Sequence, residues 1–331
     1  MSIINDVKNQ LKKNGKKSII VFAEGWNETI QNVAINLKKD NIIKPILIFN
    51  NESEYLHNQK LTCIEKIDIS KTNTKKYSDY LYQLRKDKGL SEEEAKKLAS
   101  QPNYLCSLLI KMNEADGGIC GIEYTTKDTL KPALQIIKTS PNSKIVSSIL
   151  ILEKNNETLF FSDVSLIINP TFTELTFLTE NAINFIENTL NYQKNKNNYA
   201  LLSYSTNGSG AGESVDKVKK AYELIKERNL FPDINIFGEI QFDAAYDQKV
   251  RSKKVSHLNW TNNANVFIFP NIDAGNISYK ILQRCGNYNV TGPIIIGLDK
   301  PINDLSRGAG EYEVESLSYI TAIQAQLNNS N

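Results

Sequence analysis

The sequence predicts an α/β protein of two domains, each built on a mainly parallel sheet, with a cleft between them. Three observations predict it. Apolar runs of strand length alternate with helix-period stripes along the whole chain, as β-α-β units require. The 331 residues exceed one comfortable core, at roughly 100–200 residues per domain. Polar, glycine-containing loops follow several of the apolar runs, and a loop held by a rigid strand is where function tends to sit.

Residues 16–21 read as the first strand, and Asn27 caps a helix with Ile30, Val33, Ala34 and Leu37 on one stripe. Strands at 45–49 and 63–69 follow, at the spacing of a parallel sheet with a crossover helix. Residues 77–85 form a helix, and Ser91-Glu92-Glu93-Glu94 is a capping box opening another. Between them, the basic cluster around Arg85 ahead of Gly89 has two readings: an anion site, or a helix C-terminus stabilised by its own cations. Residues 104–113 carry a further stripe, 115–121 a short strand bounded by glycines, and Thr126 caps a helix with Pro132 in its first turn. Strands at 145–152, 158–161 and 165–168 come next, and the join between domains falls near 140–144.

A helix over 174–192 places Leu175, Leu178, Ala182, Phe185 and Ile186 on one face. The strand 199–204 then runs into Ser205-Thr206-Asn207-Gly208-Ser209-Gly210-Ala211-Gly212, ahead of a helix with Val215, Val218, Tyr222 and Ile225 inward. Backbone amides of such a loop can converge on phosphate oxygens, which makes Ser205 and Thr206 candidate binding residues; a loop with no ligand is the other reading. Neither GxxxxGK[ST] nor GxGxxG is present, against a nucleoside triphosphate or a standard dinucleotide.

Residues 234–237 form a strand, 242–246 a short helix, 265–269 a buried strand and 277–284 a helix. The apolar run 293–298 then delivers the chain into a polar loop holding Asn303, Asp304, Ser306 and Arg307, with Asn303 and Asp304 as candidate substrate-binding residues. Gly308 and Gly310 let the backbone turn ahead of a closing helix over 314–327. Free N–H groups at a helix N-terminus favour a phosphate or a carboxylate there; a capped strand-to-helix connection is the equal alternative.

Lys plus Arg number 39 against 37 Asp plus Glu, so a net charge of +2 implies neither nucleic acid nor a membrane surface as partner. Cys63, Cys106, Cys120 and Cys285 show no CxxC or metal-ligand spacing, and the two histidines are His57 and His257, so no metal site is expected. Cys106 and Cys120, in apolar surroundings, read as core thiols. No stretch reaches the ~20 apolar residues of a membrane span and no apolar leader opens the chain, so a cytoplasmic location is expected.

Several motifs, in this order, resemble the phosphate acetyltransferases (phosphotransacetylases) in their short form. They are Leu134-Gln135-Ile136-Ile137-Lys138-Thr139, Gly238-Glu239-Ile240-Gln241-Phe242-Asp243-Ala244-Ala245, Asn265-Val266-Phe267-Ile268-Phe269-Pro270, Ala274-Gly275-Asn276-Ile277 with Tyr279-Lys280, and the stretch 301–308. The resemblance covers nearly the whole chain. It implies reversible acetyl exchange between acetyl-CoA and phosphate, giving acetyl phosphate and CoA, in an active-site cleft flanked by two α/β domains. Coenzyme A is then a substrate, no cofactor is permanently bound, and a homodimer is the usual assembly. The closing helix returns to the first domain, so the expected domains are 1–142 plus 298–331, and 143–297.

Residue by residue, the resemblance makes Ser306 and Arg307 the family's Ser-Arg pair, with Arg307 on phosphate and Ser306 near the thiol and thioester. Arg85 matches a substrate-binding arginine. Lys131 stands where the family has a second arginine, keeping the charge and losing the planar fork. Asn207 replaces a loop lysine, and Glu313 replaces the catalytic aspartate seven residues beyond the serine, with Glu311 as its alternative. A carboxylate of ordinary pKa about 4.3 facing a thiol of about 8.5 leaves a gap of roughly four units, which neighbouring arginines narrow by stabilising the thiolate. Two further classes stay open: a phosphate butyryltransferase or other short-acyl enzyme, and a non-catalytic ligand-binding relative.

Overall fold

The structure, a computed structural model, describes residues 2–56, 58–258, 260 and 262–328. His57 and the expected domain ends at 1 and 329–331 lie outside the described residues. Two compact units divide the chain, one made of residues up to Ile3 with Asn142–Gly297, the other of Ile4–Pro141 with the described residues from Leu298 on.

Helix α1 (Ile3–Asn14) comes first and has no counterpart in the sequence expectations, although Ile3, Ile4, Val7 and Leu11 recur at helical spacing and are buried. Then follow β1 (Ser18–Phe22), α2 (Glu28–Asp40), β2 (Ile43–Phe49) and β3 (Glu65–Asp68). Asn27 caps α2 as expected, its side chain accepting from Thr29 N and Ile30 N. Helices α3 (Lys75–Arg85), α4 (Glu92–Ala99) and α5 (Pro102–Lys111) lead to β4 (Gly117–Cys120) and α6 (Thr126–Pro132). Both bonds of the Ser91–Glu94 capping box are present.

Pro132 closes α6 instead of opening it, and Thr125, not Thr126, is the cap. Proline has no N–H for the carbonyl of Asp128, four residues back; Asn103 Nδ2 donates to that oxygen instead, at 2.9 Å. The chain goes on through β5 (Ser147–Lys154), β6 (Glu157–Ser162), α7 (Phe172–Ile183), β7 (Asn198–Leu202), α8 (Glu213–Arg228), β8 (Asn235–Ile240), α9 (Phe242–Tyr246) and α10 (Gln248–Lys254). It ends with β9 (Val266–Ile268), α11 (Ile272–Arg284), β10 (Asn289–Ile296), β11 (Ile302–Asp304) and α12 (Glu311–Asn328). The expected strand at 165–168 is absent. The N–H groups of Ser165, Leu166 and Ile167 turn onto the buried carboxylate of Asp163 at 3.0, 3.3 and 3.0 Å, which withdraws them from any ladder.

In the 142–297 unit the strands run β10-β5-β6-β9-β7-β8. Its β6-β9-β7-β8 part is parallel, and β10 and β6 are each antiparallel to β5. Phe161 and Phe267 meet edge-on in its core, with ring centroids 5.6 Å apart. In the other unit the order is β11-β4-β1-β2-β3, with every pairing parallel. From β1 the chain winds one way to β2 and β3, while β4 and β11 lie on β1's other side. The direction reverses between β1 and β4, and the crevice outside the strand C-termini at such a reversal is where open α/β sheets hold ligands.

Candidate functional site

β11 carries the chain to Ser306. The preceding apolar run does not lead there directly: β10 belongs to the other unit's sheet, and Asn303 and Asp304, expected in the loop, are strand residues paired with Ile119 and Cys120 of β4. Their side chains leave opposite faces, as alternation along a strand dictates. Asn303 Nδ2 donates to Thr321 Oγ1 at 2.9 Å and Gln324 Oε1 at 2.8 Å, both on α12. Asp304 Oδ2 accepts from Thr126 Oγ1, on α6, at 2.7 Å. Both are buried, so the polar residues read as ligand contacts hold the strand in place.

Beyond Asp304 the loop is anchored at two points. Leu305 is buried and its N–H donates to Cys120 O at 2.7 Å; Ala309 is buried and its N–H donates to Ser306 O at 3.0 Å. Between these anchors Ser306, Arg307 and Gly308 are exposed. Glu313 Oε2 accepts from Gly310 N at 3.2 Å, closing the first turn of α12 in the manner of a capping box with glycine as cap. Thus Ser306 and Arg307 stand at the tip of a loop on the C-terminal edge of the parallel sheet, just ahead of an eighteen-residue helix.

Two buried carboxyls lie beneath this edge. Glu24, after β1, accepts the N–H groups of Gly121, Glu123 and Tyr124 at 2.8, 2.7 and 2.8 Å and so shapes the turn between β4 and α6. Burial pushes its pKa up, and those N–H bonds pull it back part of the way. Burial likewise raises Asp304, to about 6, with the hydroxyls of Thr126 and Thr129 opposing and the charge of Glu24 adding to the rise. Its Oδ1 has no hydrogen-bond partner among the described residues. An acid raised in the folded state contributes stability below its unfolded pKa and loses that contribution as pH rises through the folded one. The unfolding free energy of the wild type relative to Asp304→Asn therefore falls by on the order of 2–3 kcal/mol between pH 4 and 7. Denaturant titrations at several pH values measure it, and a pH-independent difference contradicts it.

Arg85 and Lys131 come together, in a basin whose lining does not include that loop. They line a basin of about 500 Å³ with Lys88, Lys97, Tyr104 and Gln135. Tyr104 donates to Gln135 Oε1 at 3.0 Å; burial raises its pKa, while the facing charge of Arg85 lowers it. Lys88 belongs to the basic cluster around Arg85, whereas Lys97 is the cation that the sequence does not point to. It shares no local motif with Arg85, Lys88 or Lys131, and only the packing of α3, α4, α5 and α6 gathers it with them.

The loop 205–212 belongs to the other unit. Several of its donors are already engaged. Ser205 Oγ donates to Glu239 Oε1 at 2.9 Å, Gly208 N to the same oxygen at 2.7 Å, and Gly210 N to Ser205 Oγ at 2.9 Å. Thr206 Oγ1 donates to Gln241 Oε1 at 3.1 Å and accepts from Gln241 N at 2.9 Å. Ser205 and Thr206 are buried, and the anion that this cradle holds is the carboxylate of Glu239. Cys106 and Cys120 are buried 3.9 Å apart, as core thiols, with Cys63 and Cys285 exposed. Among the described residues no cluster of three His, Cys, Asp or Glu is disposed to bind a metal.

Comparison with known proteins gives a consistent picture. The family described as "Phosphate acetyl/butaryl transferase" matches residues 2–322. A "Phosphate acetyltransferase" of Mycoplasma genitalium is 42% identical over 329 residues, 98% of this chain and 99% of the relative. A solved phosphotransacetylase from Streptococcus pyogenes superposes with a TM-score of 0.88 at 35% identity, over 99% of this chain and 100% of that one. The EutD phosphotransacetylase from Staphylococcus aureus does so with a TM-score of 0.86 at 34% identity, over 97% and 99%.

Proposed function

This chain belongs to the phosphate acetyl/butaryl transferase family, and from that membership we propose that it transfers an acetyl group reversibly between acetyl-CoA and phosphate. The observation that carries the proposal is the exposed Ser306-Arg307 pair, held between two buried anchors at the sheet's C-terminal edge. In the direction of thioester synthesis, the thiolate of coenzyme A attacks the carbonyl carbon of acetyl phosphate, and the bond from that carbon to the phosphate oxygen breaks. Arg307, always charged and fork-shaped, holds the departing phosphate. The Ser306 hydroxyl stabilises the oxygen of the tetrahedral intermediate. Glu313 takes the thiol proton. Its grip on Gly310 N ties the base to the loop that bears the other two groups. Arg85 and Lys131 bind substrate anions from their basin.

Transfer is direct, within a ternary complex, and the working unit is a homodimer in the cytoplasm. Supporting an assembly, α11 exposes Ile277 and Ile281, one turn apart, at 58% and 54%. Among the described residues no helix is long and apolar enough to cross a membrane.

Initial rates with varied acetyl phosphate and coenzyme A test the scheme. Intersecting reciprocal lines are expected, and parallel lines would establish a covalent acyl-enzyme instead. In the same assay acetyl phosphate should exceed butyryl phosphate in kcat/KM, since each methylene is worth ~1–3 kcal/mol in a fitted pocket. A preference for butyryl phosphate overturns the acetyl assignment.

A further inference from the structure

The short helix α6 spans two places on which the proposed chemistry depends. Its first residue, Thr126, donates to Asp304 Oδ2 at 2.7 Å, and Asp304 lies two residues before Ser306. Five residues on, Lys131 lines the basin with Arg85. At 1.5 Å per residue that interval is about 7.5 Å, a rigid spacer as long as the helix holds.

The rest of the helix's surroundings are firm. Glu24 grips the turn before it through three N–H groups, and Asn103 holds the carbonyl of Asp128. Thr129 and Pro132 within it are buried, as are Ala133, Ile136 and Ile137 just after it. Among the described residues the side-chain hydrogen bond from Thr126 to Asp304 joins α6 to β11, and the buried hydroxyl of Thr129, one turn on in the same helix, bears on the same carboxyl.

Asp304 is poorly explained as a mere structural residue. It is 2% exposed and makes one side-chain bond, and its second oxygen has no partner among the described residues. That oxygen is wedged against Gly121, where a Cβ would collide with it. Glu24 and Cys120, which also bear on this carboxyl, offer it no compensation, and beyond Thr126 the nearby hydroxyl of Thr129 favours its charged form. A buried carboxyl so thinly satisfied destabilises the fold, and an apolar residue of similar volume would sit there at less cost.

We propose that Asp304 is a positioning residue for the reaction: through Thr126 it sets where α6 carries Lys131 relative to the strand that ends in Ser306 and Arg307. The proposal rests on the acyl-transfer function and adds to it a residue that touches no substrate.

Thr126→Val removes the donor and keeps the branched shape, and Thr126→Ser restores the hydroxyl. Thr126 is exposed, so both variants fold. Two readouts are taken: amide hydrogen exchange across residues 127–131, and steady-state constants for both substrates. In Thr126→Val the α6 amides should exchange roughly tenfold faster or more, the factor one charge-assisted hydrogen bond is worth. KM for at least one anionic substrate should rise several-fold while kcat stays within about threefold, and Thr126→Ser should reverse both changes. Unchanged exchange in Thr126→Val overturns the clamp, whatever the protein catalyses. Faster exchange with both KM values unchanged overturns its link to the reaction. A wild-type protein that forms no thioester, with the exchange pattern as expected, overturns the acyl-transfer function and leaves the clamp standing.

Discussion

Arg307→Ala lowers kcat/KM for acetyl phosphate by roughly 10²- to 10³-fold, the range for removing one charged group that acts on the developing charge of a transition state. The expectation follows from position. Arg307 is exposed on a loop whose neighbours, Leu305 and Ala309, supply the anchoring, so its loss leaves the fold alone. Phosphate gains negative charge as it departs, and a planar guanidinium can meet two of its oxygens at once. Arg307→Lys, a point charge without the fork, should recover only part of the loss. A change of less than threefold in Arg307→Ala would remove this residue from the chemistry.

Glu24→Ala should destabilise the 4–141 unit by about 3–5 kcal/mol. Its carboxylate receives three backbone N–H groups at 2.7–2.8 Å, and each buried donor left without an acceptor costs ~1–3 kcal/mol. Water entering the vacated space offsets part of the sum. Glu24→Gln keeps one carbonyl oxygen able to accept two of these bonds and should fall between. Thermal and denaturant melts measure the effect, and an alanine variant that melts within a degree of the wild type refutes it. Function should suffer as well, because the turn that Glu24 shapes leads into α6 and Lys131.

Much of the fold is legible in local sequence because its signals are local. Asn27 reads as a cap and is one, and Ser91 with Glu94 reads as a capping box and makes both bonds. The alternation of strands and helices is enough to predict parallel sheets in two layers. The candidate site can be proposed from sequence where its groups share one stretch of chain, as Ser306, Arg307 and Glu313 do. It is not legible where tertiary pairing decides. Ile302, Asn303 and Asp304 look like loop because two of the three are polar; they are a strand because β4 offers them a parallel partner. Ser205 and Thr206 look like an open anion cradle, and Glu239, 34 residues after Ser205, fills it. Residues 165–168 look like a strand until the carboxylate of Asp163 claims their amides. In the first two cases a neighbouring strand or a side chain distant in sequence decides, and in the third a carboxylate two to four residues back does, so local propensity is a weak prior wherever buried hydrogen bonds compete with it.

Thioester formation is the direct test of the central claim. Purified protein is mixed with acetyl phosphate and coenzyme A, and the thioester absorbance is followed with time. A rise proportional to protein concentration, reversed when acetyl-CoA is incubated with excess phosphate, is the predicted result. No thioester at high protein concentration, from protein that is folded by its melting curve, would contradict the assignment.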